Sequence, residues 1–218
     1  DSRMLWRLML VVVSLAFVSA CQAQAPTEPF QSGTQYFPID PPVATSAPAG
    51  KVEVVEVFSY ACIHCAHFQP LVDAWRAKQS KNVVFTYLPA AWNAQWEGFA
   101  KAYYAADSLG IVEKTHGPMF KALHEEKKNF ASLDELAQWY AGYGVKPDAF
   151  LSAFNSMTTM AGVEHSKALV PQYGIDGTPT VVVAGKYRVT GQSAGSADKV
   201  FDVVDYLVAK ELAAGGKS

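Results

Sequence analysis

Cysteine is scarce in this 218-residue chain, which carries three, Cys21, Cys62 and Cys65. A fold stapled by several cross-links is excluded, because Cys21 lies in a leader-like stretch and only one pair remains for the folded part. Charge is sparse and balanced: 18 Lys and Arg against 20 Asp and Glu leave a formal net charge of -2, which argues against nucleic acid as a partner. No internal repeat and no long run of like charge is present. The apolar run from Leu8 to Ala20 falls short of the 18 or so residues that a membrane span needs, roughly. His116, His124 and His165 lack the paired spacing of zinc-binding histidines. Between Leu88 and Thr180 there is no strand signal.

What is present begins with that apolar run. Flanked by Arg3 and Arg7, it has the pattern of a signal-peptide core, so residues 1–20 are read as an export signal. Val18-Ser19-Ala20-Cys21 reads as a bacterial lipobox, so Cys21 is expected to be lipidated. The rival reading cuts near Ala23 and discards Cys21. Residues 21–50 hold six of the 12 prolines among Ala, Thr, Ser and Gln, the composition of an extended tether. Tyr36, Phe37 and Ile39 are the exception, and are expected to add a short strand to a sheet edge. Residues 51–214 are long enough for one domain with a sizeable core.

The chemistry lies in Cys62-Ile63-His64-Cys65. It follows the Val-rich, strand-like run Val52 to Phe58 and opens a helix-like run from Cys62 to Ser80, expected to break or bend near Pro70. A helix leaves its first backbone N–H groups unpaired, so a sulfur placed there is favoured as thiolate. Cys62 is therefore the candidate nucleophile. Cys65, one turn further along the same side, is placed to close a small-ring disulfide with it. The helix end contributes about 0.3–2 kcal/mol, or roughly one pKa unit. A strong oxidant needs further donors, and His64 is the candidate to supply charge or a hydrogen bond to the Cys62 sulfur.

Val83 to Leu88 completes a βαβ unit. The stretch that follows carries helical stripes: Phe99, Tyr103, Ala106 and Leu109; Met119, Phe120 and Leu123; Leu133, Leu136, Ala137 and Tyr140. It reads as a helical insertion at about residues 93–174, its aromatic residues serving as packing. Thr180 to Ala184 and Tyr187 to Val189 form a hairpin around Gly185-Lys186, and Ser196 to Ala213 an amphipathic closing helix. Directly before the hairpin stands Gly174-Ile175-Asp176-Gly177-Thr178-Pro179-Thr180. Taken alone, Thr178-Pro179 is expected to be trans, since cis occurs in about 5–6% of X-Pro bonds.

Together these segments resemble the DsbA family of thiol:disulfide interchange proteins, over roughly Lys51 to Ala213. The resemblance rests on Val54 to Cys65, the helical insertion, and Gly177-Thr178-Pro179-Thr180. It implies an α/β, thioredoxin-like fold with an inserted helical domain, and a disulfide oxidant for newly exported proteins in the bacterial periplasm. It implies reoxidation by a DsbB-like, quinone-linked membrane oxidase. It also implies a cis Thr178-Pro179 bond beside the dithiol, with Thr178 and Pro179 binding extended substrate, and a buried acid at Glu56 handling protons for Cys65. Ile63 departs from the proline found in the best-known members, which bears on the strength of oxidation.

In this reading a substrate thiolate attacks Cys62 in the disulfide and Cys65 departs; a second substrate thiol then expels Cys62. The chain is expected to act as a monomer and without a cofactor. Alternatives remain open at this point. Glu56, like Glu53, could face solvent from an exposed strand face. The dithiol could serve a reductase or isomerase. Cys62, His64, Cys65 and His67 could bind zinc, or the fold could act as a tethered peptide-binding chaperone.

Overall fold

The computed structural model describes residues 27–215; residues 1–20, read above as an export signal, and Cys21 lie outside the described residues. A five-stranded sheet is ordered β1-β5-β4-β2-β3. In chain order the elements are β1 (Phe37–Pro38), β2 (Val52–Phe58), α1 (Ile63–Arg76) and β3 (Val83–Pro89), then five helices: α2 (Ala94–Ser108), α3 (Val112–His124), α4 (Leu133–Ala141), α5 (Pro147–Phe154) and α6 (Met157–Gln172). The hairpin β4 (Thr180–Val183) and β5 (Tyr187–Val189) follows, then a single turn α7 (Gly191–Ala194), a 3₁₀ turn at Ala197–Lys199, and α8 (Val200–Ala213). β2 runs parallel to β3 and antiparallel to β4.

Every side chain of β2 is buried, because helices cover the sheet on both faces. Val54 and Phe58 join the larger core with Phe68, Val72 and Trp75 of α1 and Val203, Val204 and Leu207 of α8. Val55 and Val57 turn the other way, to Val170 and Tyr173 at the end of α6 and to Ile39 of the N-terminal segment. Fully buried valines and leucines such as Val54, Val57 and Leu207 each contribute about 1.5–3 kcal/mol. A two-sided cover also settles Glu53 and Glu56. Neither faces solvent: both are buried. Glu53 is satisfied by the N–H and hydroxyl of Ser46, which donate to its Oε2 at 3.3 and 3.0 Å.

Local chemistry departs from the sequence reading at several points. α1 is a single helix through Pro70, held by its buried face: Trp75 stacks on Phe201 of α8 at 4.8 Å and donates Nε1–H to Asp205 at 2.7 Å. α6 was not signalled as a separate helix, since its buried residues Thr159, Val163, Ser166 and Val170 include two hydroxyl side chains. The hairpin turn sits one residue earlier than expected, on Ala184 and Gly185, both at positive φ. Lys186 N–H closes it onto Val183 O at 3.0 Å, as a mirror-image turn requires. The Thr178-Pro179 bond is cis, as is Asp40-Pro41.

The Pro-rich segment also packs. β1 pairs antiparallel with β5, Ile39 and Val43 donate their N–H groups to Lys186 O and Gly185 O at 2.7 and 2.9 Å, and Tyr36 and Ile39 are buried. Gly185 is required on two grounds: its φ is +63°, and a Cβ there would collide with the Val43 carbonyl oxygen. Gly185→Ala should therefore lower unfolding stability by about 2–3 kcal/mol and expose the segment before Val52 to protease. Urea titration with limited proteolysis checks both.

Candidate active site

Cys62 is the N-cap of α1, in extended backbone geometry, and its sulfur accepts the Cys65 N–H at 3.4 Å. Protonated, it donates to Thr178 O at 3.5 Å, which brings the loop before β4 against the dithiol from 116 residues away. Cys62 and Cys65 are unbridged, the reduced form. They differ sharply in environment: Cys62 is half-buried and Cys65 is fully buried.

That difference sets their acidities. The Cys62 thiol is drawn down to about 5, first by the hydrogen bond from the Cys65 side chain, then by the Thr178 side chain and the N–H groups of Cys65 and His64, all working against partial burial. The helix end alone is too weak for a shift of this size; converging donors supply the rest. The Cys65 thiol moves the other way, pushed up first by burial, then by its bond to Cys62 and by the negative charge of the Cys62 thiolate. At neutral pH the pair is therefore one thiolate and one thiol.

His64 acts on this sulfur through its backbone N–H. Its imidazole is exposed and lines a groove of about 990 Å³ with His67, Thr178, Pro179 and Gln192. No hydrogen bond from that ring to Cys62 occurs among the described residues. Ile63, between the cysteines, is 39% exposed. Among the described residues no group of three or more His, Cys, Asp or Glu is arranged to hold a metal ion.

Glu56 lies in β2 on the side facing α1. Burial, with the negative charge of Asp73 and then of Cys62, holds its carboxyl well above the ordinary range, and neither oxygen has a hydrogen-bond partner in the structure. Its surroundings thus favour the protonated, uncharged carboxyl, in electrical reach of both sulfurs. Burying an unpartnered polar group costs free energy, so Glu56→Met should raise stability by about 1–3 kcal/mol. The gain should open above the ordinary carboxyl value of 4.5, where the unfolded chain's Glu56 ionises and the buried one keeps its proton. Urea titrations at pH 4 and pH 7 check it.

Two histidines that sequence spacing treated as unremarkable hold Tyr60, two residues before Cys62. His116 of α3 lies 2.8 Å from the Tyr60 hydroxyl through Nδ1, and His124 Nε2–H donates to Tyr60 O at 2.7 Å. Burial, and then the charge of Arg76, push His116 down to about 3, so the imidazole is neutral. Phe58 and Tyr60 pack edge-on against Phe120, and Phe58 also against Tyr87, Tyr103 and His116. The helical insertion is in this way fixed to the strand end that presents Cys62. Only the mixed aromatic and histidine content of 99–124 hinted at this; the pairing itself spans 56 and 64 residues.

Comparison with known proteins bears on the whole. Residues 75–198 match the model of the DSBA-like thioredoxin domain, a span that starts beyond the dithiol. The thiol:disulfide interchange protein DsbA of Pseudomonas aeruginosa is 36% identical over 211 residues, 97% of this chain and 100% of that protein. The corresponding protein of Azotobacter vinelandii is 37% identical over 182 residues, 84% of this chain and 85% of its own. The crystal structure of Pseudomonas aeruginosa DsbA superposes with a TM-score of 0.81 at 38% identity, covering 86% of this chain and 97% of that one. The Xylella fastidiosa oxidoreductase DsbA gives 0.79 at 41%, covering 85% and 99%. The fold is thus thioredoxin-like with its helical insertion, the activity is dithiol-disulfide exchange by a protein disulfide oxidoreductase, and the chain belongs to the DsbA family of thiol:disulfide interchange proteins.

Proposed function

We propose that this protein is exported to the bacterial periplasm and donates the Cys62/Cys65 disulfide to newly translocated, reduced proteins. The observation that carries the reading is the opposed acidity of the two sulfurs. A thiolate stabilised at Cys62 lowers the free energy of the reduced form, and a pair whose reduced form is stabilised is an oxidant. A client thiolate attacks Cys62 Sγ, the Cys62–Cys65 bond breaks, and its electron pair leaves on Cys65. Cys65 then takes a proton, and Glu56, whose burial favours the protonated carboxyl, is the group placed to supply it. The client's second thiolate attacks the client sulfur of the mixed disulfide and expels Cys62 as the stable thiolate. The client is oxidised and the protein reduced by two electrons.

Those electrons are passed to a DsbB-like, quinone-linked membrane oxidase, which restores the disulfide. Thr178, whose carbonyl faces Cys62, and Pro179 form the groove wall along which an extended client lies, offering backbone partners as an added strand would. Among the described residues no helix is long and apolar enough to cross a membrane; attachment, in this proposal, is through a lipid on Cys21. The protein works as a monomer.

A reductase would require the opposite bias, a disulfide that resists reduction, and an isomerase would have to be held in the dithiol form. Two substrates separate these readings: a reduced two-disulfide protein and its scrambled form. Rapid oxidation of the first with little rescue of the second is expected. Efficient rescue with slow oxidation would replace the proposal by isomerisation.

A further inference from the structure

The groove beside the dithiol extends well beyond the residues that a disulfide exchange needs. From His64 and Thr178 it runs to a far end walled by Phe37 and Arg188. The N-terminal segment builds that end: β1 pairs Phe37 with Arg188 across the sheet edge, the guanidinium lies 5.5 Å from the Phe37 ring centroid, and Nη1 donates to Pro38 O at 3.5 Å. These contacts hold the head group in place, and Arg188 forms no ion pair among the described residues. The other ionisable groups on the lining are His64 and His67 near the dithiol and Asp176 on the loop before Pro179. Asp176 is exposed and two residues from Thr178, so it disfavours an acidic side chain close to the reactive sulfur. Arg188 Nη1 lies over Gly174 of the same loop, 3.2 Å from where a Cβ would stand, yet makes no ion pair with Asp176 among the described residues.

From this charge arrangement the geometry points to Arg188 as a specificity-determining residue, selecting client segments that carry a carboxylate some distance from the cysteine that attacks Cys62. This deepens the proposed function and rests on it. Arg188 is paired with Val182 in the hairpin, four strand positions beyond Thr178, which at strand spacing is about 13 Å, or about four residues of an extended client. A half-exposed arginine held by an aromatic ring and a carbonyl suits a carboxylate, which it can meet with two parallel N–H groups.

The test compares wild-type protein with Arg188→Glu and Arg188→Gln, each in the oxidised form. Each reacts with single-cysteine peptides carrying Glu, Lys or Gln about four residues to either side of the cysteine. The rate of mixed-disulfide formation at Cys62 is read by acid quench and mass. Every protein meets the same peptides, so the intrinsic reactivity of each peptide thiol cancels. Wild type should favour Glu over Lys by about threefold on one side of the cysteine, as a partly exposed ion pair allows. The preference should fade at high salt, vanish in Arg188→Gln and reverse in Arg188→Glu, with the Gln peptide unaffected throughout. An unchanged Glu-to-Lys ratio in both variants overturns the inference. So does equal slowing of all three peptides, which would mark Arg188 as merely structural. Failure of wild type to react with even the Gln peptide would instead sink the underlying oxidant reading, and the selectivity with it.

Discussion

Cys65→Ala is expected to lose turnover to the uncatalysed background and to accumulate covalent adducts at Cys62. Oxidation of a client requires the Cys62–Cys65 bond, which this variant cannot form. Its remaining sulfur is still the thiolate at the helix start, so it attacks client or glutathione disulfides and becomes bridged to them. In the intact protein the buried Cys65 thiol, adjacent to Cys62, can displace such a partner; without it the bridge persists. Cys62→Ala should be equally inactive and form no adduct, because Cys65 is fully buried and its thiol is pushed up. A second consequence separates this from simple loss of a cysteine. The bond from the Cys65 side chain is the largest influence drawing Cys62 down, so Cys65→Ala should raise the Cys62 thiol from about 5 by about one unit, the worth of one hydrogen bond. Thiolate absorbance against pH, with adducts counted by intact mass, measures both. Equal adduct formation by the two variants would refute the division of labour between the sulfurs.

The second large effect is on stability against pH. Cys62 is lowered in the folded, reduced protein from 9.0 to about 5, and a depressed acidity of this kind stabilises the fold above the unfolded value. The contribution is complete above about pH 9, shrinks as pH falls, and is gone below about 5. Four units would correspond to about 5 kcal/mol, but a half-exposed sulfur is screened by solvent, and about 2–3 kcal/mol is the better expectation. The oxidised protein has no such thiolate. The stability of the reduced form minus that of the oxidised form should therefore drop by this amount between about pH 9 and pH 4. The reduction potential should follow: about 30 mV per pH unit above 5, where one proton accompanies two electrons, and about twice that below it, where two do. Urea titrations of both forms and a glutathione equilibrium read at several pH values test this. A pH-independent difference would mean an ordinary thiol at Cys62.

Much of this was written locally in the chain. A dithiol at the end of a Val-rich run, an aliphatic and aromatic stripe at helical spacing, and a Thr-Pro before a short hairpin each announce themselves within a few residues. The orientation of Glu56 did not, because strand alternation assigns a face but not what covers it, and here α1 and α8 close one side and α6 the other. Of the donors on Cys62, the first-turn N–H groups of His64 and Cys65 were foreseen, whereas the Cys65 and Thr178 side chains were not, and the imidazole of His64, the named candidate, makes no hydrogen bond to the sulfur among the described residues. Tyr60 with His116 and His124 was illegible for a different reason. Partners 56 and 64 residues apart leave no periodic trace. Within residues 21–50, Tyr36, Phe37 and Ile39 did announce a strand at the sheet edge, which β1 supplies; the docking of Val43 on Gly185 was hidden by the proline-rich composition around it.

The aromatic knot of Phe58, Tyr60, Tyr103, His116 and Phe120 has one more implication. Prying the insertion away from the sheet would wet all five rings at once, so the two halves melt together and give no jaw that opens around a visitor. Accommodation must then come from the guest, and a polypeptide that has already folded its cysteines away cannot yield. Timing, rather than recognition of shape, would decide which chains are served: those still slack enough to be threaded past a fixed edge.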